Sequence, residues 1–217
     1  MSIGGDALAW HRMPKYDTIH DAKLHILRDY GHELIPYTCD ASVVKRKMQT
    51  TVILFSLPFF IGRCYVMSNG VYVFNKFARL VSIMMLLRTI TMISTAFPNP
   101  NPQCYVESKV DISYHDAIIQ TISTFPTKSC GNLMFSGHTM FLCSFCLFEV
   151  QYLYTQKWLR TLSVAKTAFG IYYIIACRSH YTIDVVAALL LTGLVYNAYV
   201  MRSYNTYVAL ELLSIQN

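Results

Sequence analysis

Arg178-Ser179-His180-Tyr181-Thr182-Ile183-Asp184 opens an apolar run that extends to about residue 201. A run of this length is close to the ~20 residues that a helix needs to cross the hydrocarbon of a bilayer. At its start an aspartate follows a histidine by four positions, which puts the two side chains on one helix face. Asp184 can then hold one ring nitrogen of His180 and leave the other free to attack an electrophile. A second histidine has the same setting. Cys130-Gly131-Asn132-Leu133-Met134-Phe135-Ser136-Gly137-His138-Thr139 leads into the apolar run at about 133–154.

Three more apolar runs lie outside these two, at about 50–68, 77–97 and 159–177. Five runs near spanning length predict an all-α fold, a polytopic membrane helix bundle with five spans. The organisation expected is an exposed or interfacial polar segment over 1–49, a transmembrane bundle over 50–201 and a C-terminal tail over 202–217. The composition agrees. Of 217 residues, 54% are hydrophobic and 14% charged, whereas a soluble domain carries about a quarter charged residues.

The net charge of +6 is scattered. Its one cluster, Lys45-Arg46-Lys47, reads as a headgroup anchor beside a span, and nucleic acid is not an expected partner. The seven cysteines show no metal spacing. Cys143 and Cys146 sit among Phe, Leu and Met as small hydrophobes. Cys104 and Cys130 flank one loop and pair if that loop faces an oxidising compartment. His11, His20, His25 and His32 have no regular spacing. The expectation is therefore no metal and no cofactor.

Chain parity brings separate features to one face. The run from 133 leaves that face and the run at 159–177 returns to it, so His180 shares a membrane side with His138. The run ending near Thr95, before Pro98-Asn99-Pro100-Asn101-Pro102, reaches the same side. Within it, Arg88 lies near mid-span, where an ionisable group requires a cavity or a partner. Thr91 and Thr95 continue its helix face. Glu149 and Lys166 lie toward the opposite side on consecutive helices and read as a structural pair. Basic residues flank both faces equally, so charge does not set the orientation.

Two histidines and an aspartate at one membrane surface suit phosphoryl transfer by double displacement. One imidazole attacks phosphorus. The other protonates the departing alkoxide and then deprotonates the acceptor hydroxyl. Asp184 fixes the tautomer of the nucleophile. Charge developing on phosphorus needs donors, for which Arg178, Arg88, Ser136 and the backbone at Gly137 are candidates.

Ser136-Gly137-His138 and His180-x-x-x-Asp184 resemble two of the three signatures of the lipid phosphatase/phosphotransferase superfamily; its first signature has no match. The Cys130–Thr139 and His180–Val186 blocks resemble those of the sphingomyelin synthase family more fully, as does Leu87-Arg88-Thr89-Ile90-Thr91-Met92 with Pro98-Asn99-Pro100 and Cys104. Met13-Pro14-Lys15-Tyr16-Asp17 is a fainter likeness.

The resemblance implies a transferase that moves phosphocholine from phosphatidylcholine to the primary hydroxyl of ceramide, releasing diacylglycerol. His180 is then the nucleophile, Asp184 its orienter and His138 the acid and base. Three alternatives stand beside it, in order: a ceramide phosphoethanolamine synthase, a lipid phosphate phosphatase and a truncated, non-catalytic family member. The partners implied are a phospholipid donor, a ceramide acceptor, the bilayer and a second copy of the chain. The place implied is the Golgi or plasma membrane, with the site lumenal or exoplasmic. Asn132 stands where the family has Asp, and the family has six spans where five are read here, so the chain is expected to be a fragment or a shortened form.

Overall fold

The computed structural model describes residues 26–38, 48–95, 98–100 and 134–201. Among these every regular element is helical. A short helix, α1 (Tyr30–Leu34), precedes α2 (Met48–Val66), α3 (Gly70–Ser94), α4 (Gly137–Phe148), α5 (Lys157–Ala176) and α6 (Thr182–Val195). Helix α4 continues as a wider π turn at Glu149–Leu153, and α6 likewise at Tyr196–Met201. The Cys104–Cys130 pairing, Asn132 and the tail lie outside the described residues. So do the Lys45-Arg46-Lys47 anchor, the 13–17 element, His11, His20 and His25.

Helix α4 is the hub and packs against α2, α3, α5 and α6. Its partner α3 shows why. Val73, Phe77, Leu80, Met84, Arg88 and Met92 are among its buried residues and are spaced by three or four, which is one continuous helix face. That face meets Phe145 and Phe148 of α4 and Phe60 of α2. Phe77 lies 4.5 Å from Phe60 and 5.1 Å from Phe145 between ring centroids. Offset and edge-on rings at these separations add to the area that they bury.

The outward faces are apolar as well, with Leu86, Ile90, Trp158, Leu162, Leu190 and Leu194 all more than half exposed. Such a surface suits lipid better than water. Two helices, Gly70–Ser94 and Thr182–Val200, are long and apolar enough to cross a membrane. The described residues are thus all-helical, with two candidate membrane spans, and five helices overlap the five apolar runs.

One boundary differs from the sequence reading. Helix α3 begins at Gly70, seven positions before the run taken from 77. Lys76, just before that run, is buried, with Nζ 4.4 Å from the centre of the Tyr72 ring and 3.4 Å from the Val200 carbonyl. Its ammonium meets a π face and a helix-end oxygen, so the charge does not interrupt the helix.

The expected Glu149–Lys166 pair forms. Lys166 Nζ lies 2.9 and 3.0 Å from the two carboxylate oxygens and 3.2 Å from Ser56 Oγ, and Ser163 donates to Glu149 as well. This ties α2, α5 and the end of α4 at a completely buried carboxylate. Removing one partner of a buried pair leaves an uncompensated charge, at a cost of about 3–5 kcal/mol. Lys166→Met should therefore lower the thermal midpoint of the detergent-solubilised protein clearly. Adding Glu149→Gln to it should recover most of the loss. An unchanged midpoint in the single variant would show that the pair is solvated.

Candidate active site

The site is built by two chain reversals that meet. The first is the start of α4. Ser136 is its N-cap, and the buried Ser136 Oγ accepts from the Thr139 N–H at 3.2 Å and from the Thr139 hydroxyl at 2.9 Å. A serine oxygen here satisfies a donor that the first helical turn leaves over. His138 follows two residues later, on the first turn.

The second reversal joins α5 to α6. Ser179 N–H bonds the Ile174 carbonyl at 3.1 Å and Arg178 N–H the Ile175 carbonyl at 3.0 Å, with Arg178 at φ 53°. This pair of bonds around a left-handed residue is the Schellman ending of a helix. It throws His180 and Tyr181 back over the end of α5. Helix α6 then starts at Thr182, and Asp184 in its first turn accepts from the Tyr181 N–H at 3.1 Å.

The Ser136 N–H donates to the Asp184 carbonyl at 3.1 Å, and this bond joins the two reversals. The His138 and His180 rings consequently lie with centroids 6.2 Å apart at 60°. His180 Nδ1 is 3.8 Å from Asp184 Oδ2, and Asp184 is completely buried. That separation is longer than a hydrogen bond, and catalytic contacts are often long before substrate is bound. The other carboxylate oxygen, Oδ1, is buried with no hydrogen-bond partner among the described residues.

Arg88 reaches the site from α3. Its Nη1 donates to the Phe135 carbonyl at 2.5 Å, and Thr91 Oγ1 lies 3.1 Å from the Met134 carbonyl. Together they hold the strand of chain that leads into Ser136. Gly137 is where this approach is closest. A Cβ there would lie 2.6 Å from Arg88 Nη1, so a hydrogen is what lets the guanidinium pass.

Among the sequence candidates, His138, His180, Asp184, Ser136, Gly137 and Arg88 come to one end of the bundle. Arg178 turns away from them. Its Nη2 donates to the carbonyls of His32 and of Ile35, the latter at 3.1 Å. Here lies what the sequence reading passed over: residues 26–38 dock on the reversal at 177–182. Asp29 Oδ2 accepts from the Thr182 N–H at 2.7 Å, and Oδ1 from the Thr182 hydroxyl at 2.6 Å and the His32 N–H at 3.0 Å. Burial works to raise the Asp29 carboxyl, but these bonds hold it below the usual carboxylate range. The one faint signal was Asp29 itself, a capping residue ahead of Tyr30-Gly31-His32.

Cys177 is disulfide-bonded to a partner outside the described residues, a role not expected for it, whereas Cys143 and Cys146 are free. Among the described residues no three His, Cys, Asp or Glu side chains group as metal ligands.

Comparison with known proteins points the same way. Residues 129–201, which hold both reversals, match the family described as PAP2 superfamily C-terminal. The chain is 35% identical over 120 residues to a protein of Trypanosoma brucei brucei named phosphatidylethanolamine:ceramide ethanolaminephosphotransferase, covering 54% of this chain and 37% of that one. It is 30% identical over 128 residues to human sphingomyelin synthase-related protein 1, covering 54% and 31%. With phosphatidylinositol:ceramide inositolphosphotransferase 2 of Arabidopsis thaliana it shares 27% over 170 residues, covering 75% and 55%. The chain spans about a third of the length of the first two.

Gly137→Ala should push the Arg88 guanidinium off the Phe135 carbonyl, and a hydrogen bond from a charged donor is worth about 1.5–3 kcal/mol. The check is a double-mutant cycle on thermal stability. Gly137→Ala should destabilise the wild-type background and lose most of that effect beside Arg88→Met. Additive losses would mean that the two residues do not press on each other.

Proposed function

We propose that this chain, a member of the sphingomyelin synthase family within the lipid phosphatase superfamily, moves a phospho-head group from a glycerophospholipid to the primary hydroxyl of ceramide. The observation that carries the reading is the pair of imidazoles 6.2 Å apart, one of them backed by a buried carboxylate.

In the first step His180 Nε2 attacks phosphorus, because Nδ1 is the nitrogen that faces Asp184. A phosphorus–nitrogen bond forms and the bond to the glycerol oxygen breaks. His138 gives its proton to that oxygen, and diacylglycerol leaves. In the second step His138 takes the proton of the ceramide hydroxyl, the hydroxyl oxygen attacks phosphorus and the phosphorus–nitrogen bond breaks. Each imidazole ends as it began. Asp184 acts by holding the His180 tautomer and by stabilising its positive form. The backbone N–H groups at the start of α4, with Ser136, Gly137 and Arg88, supply donors and positive field where phosphate charge develops.

The head group in this reading is phosphoethanolamine ahead of phosphocholine. The trypanosome relative is named for ethanolamine, whereas choline rests on the motif resemblance. All five long helices cross the bilayer, with the site on the lumenal or exoplasmic side of a Golgi or plasma membrane.

The test is turnover of fluorescent ceramide by the purified chain in liposomes holding phosphatidylethanolamine, phosphatidylcholine or phosphatidylinositol. Product should form with ethanolamine donor and vanish in His138→Ala and His180→Ala. Asp184→Asn should lose about 10²-fold or more in kcat with little change in KM. Product from the choline donor alone would reassign the head group. Phosphate release from phosphatidic acid without ceramide transfer would make the protein a phosphatase.

A further inference from the structure

The segment 26–38 makes more specific contacts with the second reversal than a polar leader at a membrane surface requires. Thr182 is the first residue of α6, and its N–H is one of those that a helix start leaves without an internal partner. Asp29 supplies that partner from 153 positions away and takes the Thr182 hydroxyl with its other oxygen. The Asp29 carboxylate thus caps, from outside the helix, the same turn whose third residue is Asp184. Gly31 makes this fit. A Cβ on it would lie 2.1 Å from Thr182 Oγ1.

The contact reaches His180 itself. His32 Nε2 lies 2.9 Å from the His180 carbonyl. A carbonyl only accepts, so Nε2 carries the hydrogen. Burial, the largest influence on it, lowers the His32 imidazole from its ordinary value, which favours this neutral, single-donor form. The His32 ring also stacks on Tyr181 at 5.7 Å, and the Tyr181 hydroxyl accepts from the Leu27 N–H at 3.3 Å. Arg178 closes the loop from the other side through the His32 and Ile35 carbonyls. Arg178, His180, Tyr181 and Thr182 are thereby each engaged by this segment.

We propose that Asp29 and His32 are positioning residues for the attacking imidazole, fixing the backbone of His180 and the first turn of α6 so that His180 Nδ1 faces Asp184. The proposal rests on the transferase reading for its kinetic consequence and on geometry alone for its structural one. Neither residue touches the reacting atoms. They act on the His180 carbonyl and on Thr182, one residue to each side of Tyr181. Small displacements of a catalytic group are expensive; about 1 Å of misplacement can cost on the order of 100-fold. A cap and a carbonyl anchor on the two flanks of Tyr181 restrain that kind of motion.

The experiment uses the full chain in liposomes with His32→Ala, His32→Gln and Asp29→Asn. Two quantities are read. One is the rate at which diethyl pyrocarbonate modifies each histidine at a fixed pH, by mass spectrometry. The other is kcat and KM for head-group transfer to ceramide. His32→Ala and Asp29→Asn should speed modification of the buried His180 by about fivefold or more, leave His138 close to its wild-type rate, and lower kcat at least about tenfold with KM within about twofold. His32→Gln should restore both quantities, because its carboxamide N–H occupies the place of Nε2–H. Unchanged His180 labelling and kcat in both damaging variants would overturn the proposal. So would equal gains in labelling at His138 and His180 with a rise in KM, which would mark the segment as a mere cover. If the wild-type chain transfers nothing to ceramide, the functional reading fails, and the contrast in labelling alone decides the positioning role.

Discussion

One hydrogen bond, from the Ser136 N–H to the Asp184 carbonyl, sets the relation between two stretches of chain 48 positions apart. Everything at the site end refers to it. On one side it fixes the cap of α4 and so the direction of His138. On the other it fixes the first turn of α6 and so Asp184 and the ring that Asp184 faces. The groups that make it are backbone atoms at two helix starts, where unpaired N–H groups and partial positive charge gather. At the start of α6 that field is answered by two carboxylates, Asp29 and Asp184.

The charges elsewhere in the bundle follow from the same shortage of water. An ionic group among apolar helices persists where its hydrogen-bonding capacity is met. Arg88 meets the Phe135 carbonyl, Lys76 an aromatic face and the Val200 carbonyl, and Glu149 a lysine and a serine. These contacts fall at the two ends of the bundle. At the site end the cation braces backbone that leads to Ser136. At the far end the ion pair and Lys76 tie helices together without a histidine near them. Beside that far end Phe60, Phe77, Phe145 and Phe148 pack together and join α2, α3 and α4.

Much of this was legible in the sequence, and the part that was not has a physical reason. The five long helices follow from apolar runs, since a helix buried or in lipid on most sides has little need of polar residues. The convergence of His138 and His180 follows from counting crossings. Lys76 lies inside α3 although the apolar run begins after it, because a ring face and a helix-end carbonyl offset part of the cost of burying its ammonium. The docked segment was invisible for a different reason. It owes its shape to contacts made about 150 positions away, and α1 is only five residues long. A five-residue helix cannot hold itself together through local propensity. Apart from the capping Asp29, little in residues 26–38 therefore announces their conformation. Cys177 escaped because the bond partner of a cysteine is a fact of tertiary structure.

Arg178 shows how far the sequence meaning of a residue can differ from its use. Two positions before a histidine, beside motifs that suggest phosphoryl transfer, an arginine reads as an anion donor. In the fold it occupies the left-handed position that ends α5, where a side chain with a Cβ is disfavoured by about 1 kcal/mol. Glycine would take that conformation freely. What glycine cannot do is cross to the His32 and Ile35 carbonyls. The backbone strain and the guanidinium contacts are thus coupled: the contacts hold the residue in the conformation that turns the chain, and the turn aims the guanidinium at the segment it holds. The same reversal that presents His180 to His138 is in this way locked to residues 29–35, so the geometry of the imidazole pair depends on a stretch of chain that contributes no atom to the space between them.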